Sequence, residues 1–320
     1  MAVLPSISID AVQFGTPQAD TLDGTGNNDL IHGGAGDDTI SGRGGSDVLY
    51  GDRGADTVSG NGGNDTIVWT NGDGSDTIDG GGGTDTLVVE GSDNSERFTL
   101  SEDNGSLEFA RSFPGTFQLG LQRVEVVDLQ AQGGDDRFVV GDLSGSDVNS
   151  VHFRGGEGSD RLEADNTRTP IVAEGEAGDD RLVGGSGADQ LHGGDGNDTL
   201  RGLGGSDWLD GGKGDDTLSG GSGRDVIDGG QGDDRLTGGG GRDAFVFERN
   251  DGTDTIRDFT QGSDVIVLRG FSGTTGQPLT FDQLAASITE QGGDSVIDVG
   301  NTNITVSNTT GLTQSDFAFV

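Results

Sequence analysis

An aspartate returns every nine residues along one stretch of this chain, at Asp180, Asp189, Asp198, Asp207, Asp216, Asp225, Asp234 and Asp243, with no drift in spacing. Two places after each stands an apolar side chain: Leu182, Leu191, Leu200, Leu209, Leu218, Ile227, Leu236 and Phe245. Glycines fill the half-block before each aspartate, as in GGDGNDTLR and GGKGDDTLS. This period matches neither an amphipathic helix nor a coiled coil, which repeat at about 3.6 and 3.5 residues. The glycine half can turn, because positive φ costs least there. The other half alternates around one inward residue and reads as a strand. So short a strand cannot stand alone, and successive blocks must stack at the ladder spacing of about 4.8 Å. The fold class this predicts is all-β, a solenoid of short strands and glycine turns.

The signature also opens the chain. Aspartates fall at Asp20, Asp29, Asp38, Asp47, Asp56 and Asp65, each followed two places on by Leu22, Ile31, Ile40, Leu49, Val58 or Ile67. The next step lengthens to eleven, reaching Asp76 and then Asp85, with Ile78 and Leu87 still in register. Two added residues fit a bulged turn.

Stacking places like charges at ladder spacing, which costs free energy unless a cation intervenes. Ca²⁺ takes six to eight oxygen ligands with loose geometry, and here aspartates supply charge while glycine turns supply carbonyl oxygens. One apolar side chain per block is little to set against the entropy of ordering the backbone, so ion binding is expected to contribute folding free energy directly.

The block Gly-Gly-x-Gly-x-Asp-x-apolar-x resembles the nonapeptide of the RTX, or hemolysin-type calcium-binding, proteins. The resemblance implies a parallel β-roll with two nonapeptides per coil. Asp180, Asp198, Asp216 and Asp234 would then line one edge, with Asp189, Asp207, Asp225 and Asp243 on the other. Calcium would lie between stacked turns, held also by the carbonyls of turn glycines such as Gly194, Gly196, Gly212, Gly214, Gly230 and Gly232. With one ion per gap, about ten ions are expected.

A formal charge of -38, from 56 acidic against 18 basic residues, disfavours nucleic acid as a direct partner and favours hard cations. Without its period so acidic and glycine-rich a chain would be disordered, and that is the expected state without calcium. The chain has no cysteine, hence no disulfide framework. Its first residues, MAVLPSISIDAV, lack the basic and apolar regions of a secretory leader, and no stretch approaches a membrane span.

The expected organisation is an N-terminal strand at 1–15, a first array at 16–90, a divergent β-rich solenoid region at 91–174, a second array at 175–246 and a C-terminal cap at 247–320. In 91–174 the glycine turns thin out, repeat relics end at Val139 and Glu163, and longer, mostly calcium-free coils are expected, with a separate inserted domain as the rival. In the cap, Thr280 and Gln283 form a capping-box pattern before one short helix over FDQLAASI. Strands are expected at 264–268, 295–299 and 303–306. The tail, through SDFAFV, resembles the C-terminal region of type I secreted RTX proteins. That implies export through type I secretion machinery and an extracellular location.

No catalytic constellation stands out. His32, His152 and His192 lack the H-E-x-x-H spacing, no serine sits in G-x-S-x-G, and the histidines read as surface residues. The expectation is a calcium-binding, non-enzymatic structural or surface protein. Trp208 and Tyr50 on outward strand positions leave open a polysaccharide-binding module like those attached to alginate epimerases. The repeat portion of a larger secreted hydrolase or toxin is a further alternative.

Overall fold

The computed structural model describes residues 8–103, 105–272 and 279–320. The expected N-terminal strand lies partly outside them, and its described part is Ala11–Phe14. The chain forms two compact units, Met1–Val172 and Ala173–Val320, each built mainly from parallel strands wound as a β-roll. Among the described residues no helix is long and apolar enough to cross a membrane.

In the first unit a strand meets the strand one coil later, in register and at eighteen residues: Leu30 pairs Val48, and Thr39 pairs Thr57. Past Asp65 the offset becomes twenty, with Thr57 against Thr77 and Thr66 against Thr86. The two extra residues form a local turn in which Trp69 Nε1 donates to the Gly74 carbonyl at 3.0 Å and Asp73 accepts the Thr70 N–H at 2.7 Å. Register survives because the insertion is absorbed at the edge, leaving Ile78 and Leu87 inward and buried.

Residues 91–174 hold a device that the expectation of longer coils did not contain. Arg97–Asp103, Ser106–Phe113 and Phe117–Gln122 form an antiparallel meander. It is spliced into the parallel sheet rather than set apart from it. Leu121 pairs in parallel with Ile78, and Phe98 with Phe138. Phe98, Phe109, Phe117, Phe138 and Phe153 fill the interior, with successive ring centroids 5.8 to 6.1 Å apart. Aromatic volume takes over here, where glycine turns are fewer but persist at Gly134, Gly156 and Gly158.

In the second unit the inward residues make two rows. Leu191, Leu209, Ile227, Phe245, Ile266 and Phe317 follow one another on one face. Leu182, Leu200, Leu218, Leu236, Ile256 and Val306 do so on the other. Apart from Phe317, these are at most 1 % exposed. Both rows run on into the C-terminal region, where strands distant in sequence complete the ladders. Val265–Leu268, Asp294–Val299 and Thr302–Val306 fall where the alternation placed strands. The expected helix is one α-turn, Phe281–Leu284, continued by a 3-10 turn, Ala285–Ser287. Phe281 packs on Phe317 at 5.6 Å and covers the last strand of its row.

Candidate metal centre

Each nonapeptide aspartate sits at the turn between strands and uses its two oxygens differently. Along each ladder Oδ1 accepts the backbone N–H of the aspartate one coil earlier, from Asp38, Asp47, Asp198 and Asp207 onward. In the second unit the edge Asp180, Asp198, Asp216, Asp234 is joined this way at 2.8, 2.6 and 2.8 Å. The edge Asp189, Asp207, Asp225, Asp243 is joined at 2.9, 3.0 and 3.0 Å. In the first unit Asp20, Asp38 and Asp56 are linked at 2.7 and 2.8 Å, and Asp29, Asp47 and Asp65 at 2.8 Å each. The aspartates that spacing singled out are thus brought into continuous side-chain-to-backbone ladders.

Oδ2 is the atom left over. It is buried without a hydrogen-bond donor in Asp38, Asp47, Asp56 and Asp65, and again in Asp198, Asp207, Asp216, Asp225, Asp234 and Asp243. A buried carboxylate oxygen with no partner is costly, and its regular recurrence points to positions suited to a cation. Asp20, Asp29 and Asp189, early in their ladders, differ: there Oδ2 accepts the N–H of the residue four earlier, at 2.6 to 2.7 Å.

The three glycines of a block have separate reasons. In the turn ending at Asp216, a methyl group on Gly211 would overlap Asp216 Oδ2 and the Gly229 carbonyl of the next coil. Gly212 and Gly214 have φ of 102° and 124°, where an L side chain is strained, and methyl groups there would meet the Gly194 and Gly196 carbonyls. Gly230 and Gly232 stand in the same relation to Gly212 and Gly214. Carbonyls of Gly194, Gly196, Gly212 and Gly214 therefore point along the stack, on the edge that carries the buried carboxylates.

Electrostatics agree. Burial above all, with neighbouring carboxylates adding to it and the accepted N–H opposing it, pushes Asp47 and Asp207 up to about 7 and Asp216 to about 8. These groups resist ionising unless positive charge is supplied. Hard oxygen donors, net negative charge and close-approaching carbonyls fit Ca²⁺, whose ligands lie at about 2.3–2.6 Å. When bound, the ion would supply the charge that these carboxylates lack.

Several ladder members were not singled out as ligands by the nonapeptide spacing. Asp76 and Asp85 extend the first unit's two edges at 2.9 and 2.8 Å, and Asp254 and Asp264 the second's at 3.1 and 3.0 Å. Asp254 and Asp264 keep the Asp-x-Ile signature at irregular spacing, which was the available signal. Glu125 accepts the Asp85 N–H at 2.7 Å, and Glu96, Asp136 and Asp160 form a further ladder at 2.6 and 2.8 Å. A glutamate in an aspartate's place leaves no signal in the period.

The histidines differ from surface residues pointing into solvent. His32 is sandwiched between Phe14 and Tyr50, with centroids at 5.3 and 4.2 Å, and its Nδ1 lies 3.2 Å from Asp52. Outward residues one coil apart are at ladder spacing, so their rings stack. His192 pairs with Asp210 at 3.3 Å, which raises its pKa. Trp208 is 46 % exposed.

A family model for the RTX calcium-binding nonapeptide repeat matches residues 14–49, 41–68, 72–95, 174–209 and 210–245. Both arrays are RTX calcium-binding nonapeptide repeats. Such repeats bind calcium, and in this chain the RTX matches cover the orphaned carboxylates of both arrays. Comparison with curated proteins gives no match. Among solved structures the chain is similar to the extracellular lipase LipA from Serratia marcescens, at 19% identity and a TM-score of 0.31. That likeness covers 92% of this chain and 38% of the lipase, so the chain spans well under half the lipase's length.

Proposed function

We propose that this chain is a secreted RTX protein that folds on meeting extracellular calcium and serves a structural or cell-surface role without catalysis of its own. The observation that carries the reading is the row of buried, donor-less Oδ2 atoms, repeated at each coil from Asp198 to Asp234 and from Asp207 to Asp243. In a calcium-poor compartment these carboxylates repel, and the chain stays unfolded and fit for export. At the roughly 0.1–1 mM affinities of extracellular calcium modules the coils close outside the cell.

Six gaps between same-edge aspartates in the second array and four in the first suggest about ten ions, which would bring the charge from -38 to about -18. Residues 247–320 are proposed to carry the type I export signal. Removing them should abolish recovery of the protein from the medium of a host with a type I exporter.

Far-UV circular dichroism during a calcium titration, with magnesium as control, tests the reading. Calcium should convert a disordered spectrum to a β spectrum, and magnesium should not. A chain equally ordered after exhaustive chelation would refute it.

A polysaccharide reading draws on exposed Trp208, which borders a groove of about 630 Å³. The groove carries seven carboxylates, those of Glu174, Glu176, Asp195, Asp210, Asp228, Glu248 and Asp251, against the cations Lys213 and Arg269. That balance weighs against an acidic glycan at this face.

A further inference from the structure

At one step of the ladders the carboxylate meets a cation that belongs to the chain. Glu96 occupies an aspartate's place: its N–H donates to Asp136 Oδ1 at 2.6 Å, and its side chain is fully buried. Oε2 accepts the Ser92 N–H at 2.7 Å. Oε1 is not orphaned, because Arg111 Nη1 donates to it at 2.6 Å. The Arg111 side chain is only 10% exposed. It lies 5.1 Å over Phe117 and 5.6 Å over Trp69, whose rings stack at 3.8 Å, and Nη1 also donates to Asn71 Oδ1 at 2.7 Å.

Arg111 comes from the middle strand of the meander, Ser106–Phe113, and from no nonapeptide. The longer glutamate side chain and the hairpin belong together. Aspartate would end a carbon short of the guanidinium, and without the hairpin no guanidinium would be there.

On the other edge, where Glu125 replaces aspartate, Arg123 pairs with Asp79.

We propose that Arg111 takes the place of calcium at Glu96. The positive charge that the arrays draw from solution is here built into the chain, so it does not depend on calcium concentration. The meander and the strands it pairs with hold together through this pair and through Phe98, Phe109, Phe117 and Phe138, while the adjoining turns at Asp85 and Asp136, whose Oδ2 atoms are buried without a donor, lie outside that group. The meander and its paired strands form a calcium-independent seed on which the first array stacks when the ion arrives. This inference rests on the calcium reading of the arrays, and the two are separated by different signals.

The chain has two tryptophans, so Trp208→Phe leaves Trp69, 1% exposed, as the only reporter of the seed. In EDTA the far-UV β signal of this variant should fall, while Trp69 emission stays blue-shifted and shielded from acrylamide. Adding Arg111→Met should expose Trp69 in EDTA, with a several-fold rise in quenching. Adding Glu96→Gln to that variant should restore shielding, because the buried carboxylate that lost its partner is gone. Trp69 exposed in EDTA with Arg111 intact would overturn the inference. So would a double variant no better shielded than Arg111→Met, which would mean that Arg111 only packs. A far-UV signal indifferent to EDTA would overturn the calcium reading itself, and this inference with it.

Discussion

The backbone N–H of Asp198 donates to Oδ1 of Asp216 at 2.6 Å, and Oδ2 of the same carboxylate is buried with no donor. One side chain thus closes the coil with one oxygen and presents the other for an ion. The two roles can be separated by mutation. Asp216→Asn keeps an acceptor for Asp198 and loses the charge, whereas Asp216→Ala loses both. Both should raise the calcium concentration at the folding midpoint, and alanine should add about 1–3 kcal/mol for the orphaned N–H. Combining Asp216→Ala with Asp234→Ala should raise the midpoint further. An unchanged midpoint in a circular dichroism titration would remove these residues from the ligand set.

Protons should compete with calcium for the same oxygens. Asp216 is pushed up to about 8, Asp207 to about 7 and Asp198 to about 6, mainly by burial, from an unfolded value of about 3.9. A folded pKa above the unfolded one means that the folded coil binds more protons. Their stabilising effect is fully present below about pH 4 and is lost as pH rises through 6 to 8. The metal-free chain should therefore be more ordered at pH 5 than at pH 8, and the calcium concentration at the folding midpoint should be no lower at pH 8 than at pH 5, because protons and calcium each favour the folded coil over the unfolded chain. Far-UV spectra in metal-depleted buffer at the two pH values check the first sign, and titrations at both check the second.

The glycines of one turn should not be interchangeable with others nearby. Gly211→Ala collides with Asp216 Oδ2 and the Gly229 carbonyl, and Gly214→Ala adds a side chain at φ 124° against the Gly196 carbonyl. Gly214→Ala should cost at least the 1–2 kcal/mol of a left-handed residue. Gly240→Ala meets nothing within 4 Å and should be close to neutral. Thermal melts in saturating calcium would rank the three, and equal melting temperatures would contradict the packing described for the turn.

Neighbouring residues on one strand should differ as sharply. Leu209 is completely buried and Trp208 is 46 % exposed. Leu209→Ala should destabilise the calcium-loaded second unit by about 2–5 kcal/mol, and Trp208→Ala by no more than about 0.5. Denaturant unfolding in calcium measures both, and a Trp208 effect as large as that of Leu209 would mean that the outer face is covered.

The nine-residue period determined stacked short strands with one inward apolar residue and one aspartate per block, and the resemblance to RTX repeats added two blocks per coil and with them the two rows and the two edges. Each of these depends only on a block and its neighbours one coil away, so identical blocks imply identical contacts. Tertiary structure decided the rest. The spacing could not say which carboxylate oxygen is hydrogen-bonded and which is left for an ion, because both belong to the same aspartate. Nor could it show Asp254 and Asp264 extending the ladders, since their irregular spacing becomes a register only when the intervening loops are folded. Least legible was Arg111 beside Glu96: that pair exists because an antiparallel meander brings a strand back across the coil, and such non-local pairing leaves no period in the sequence.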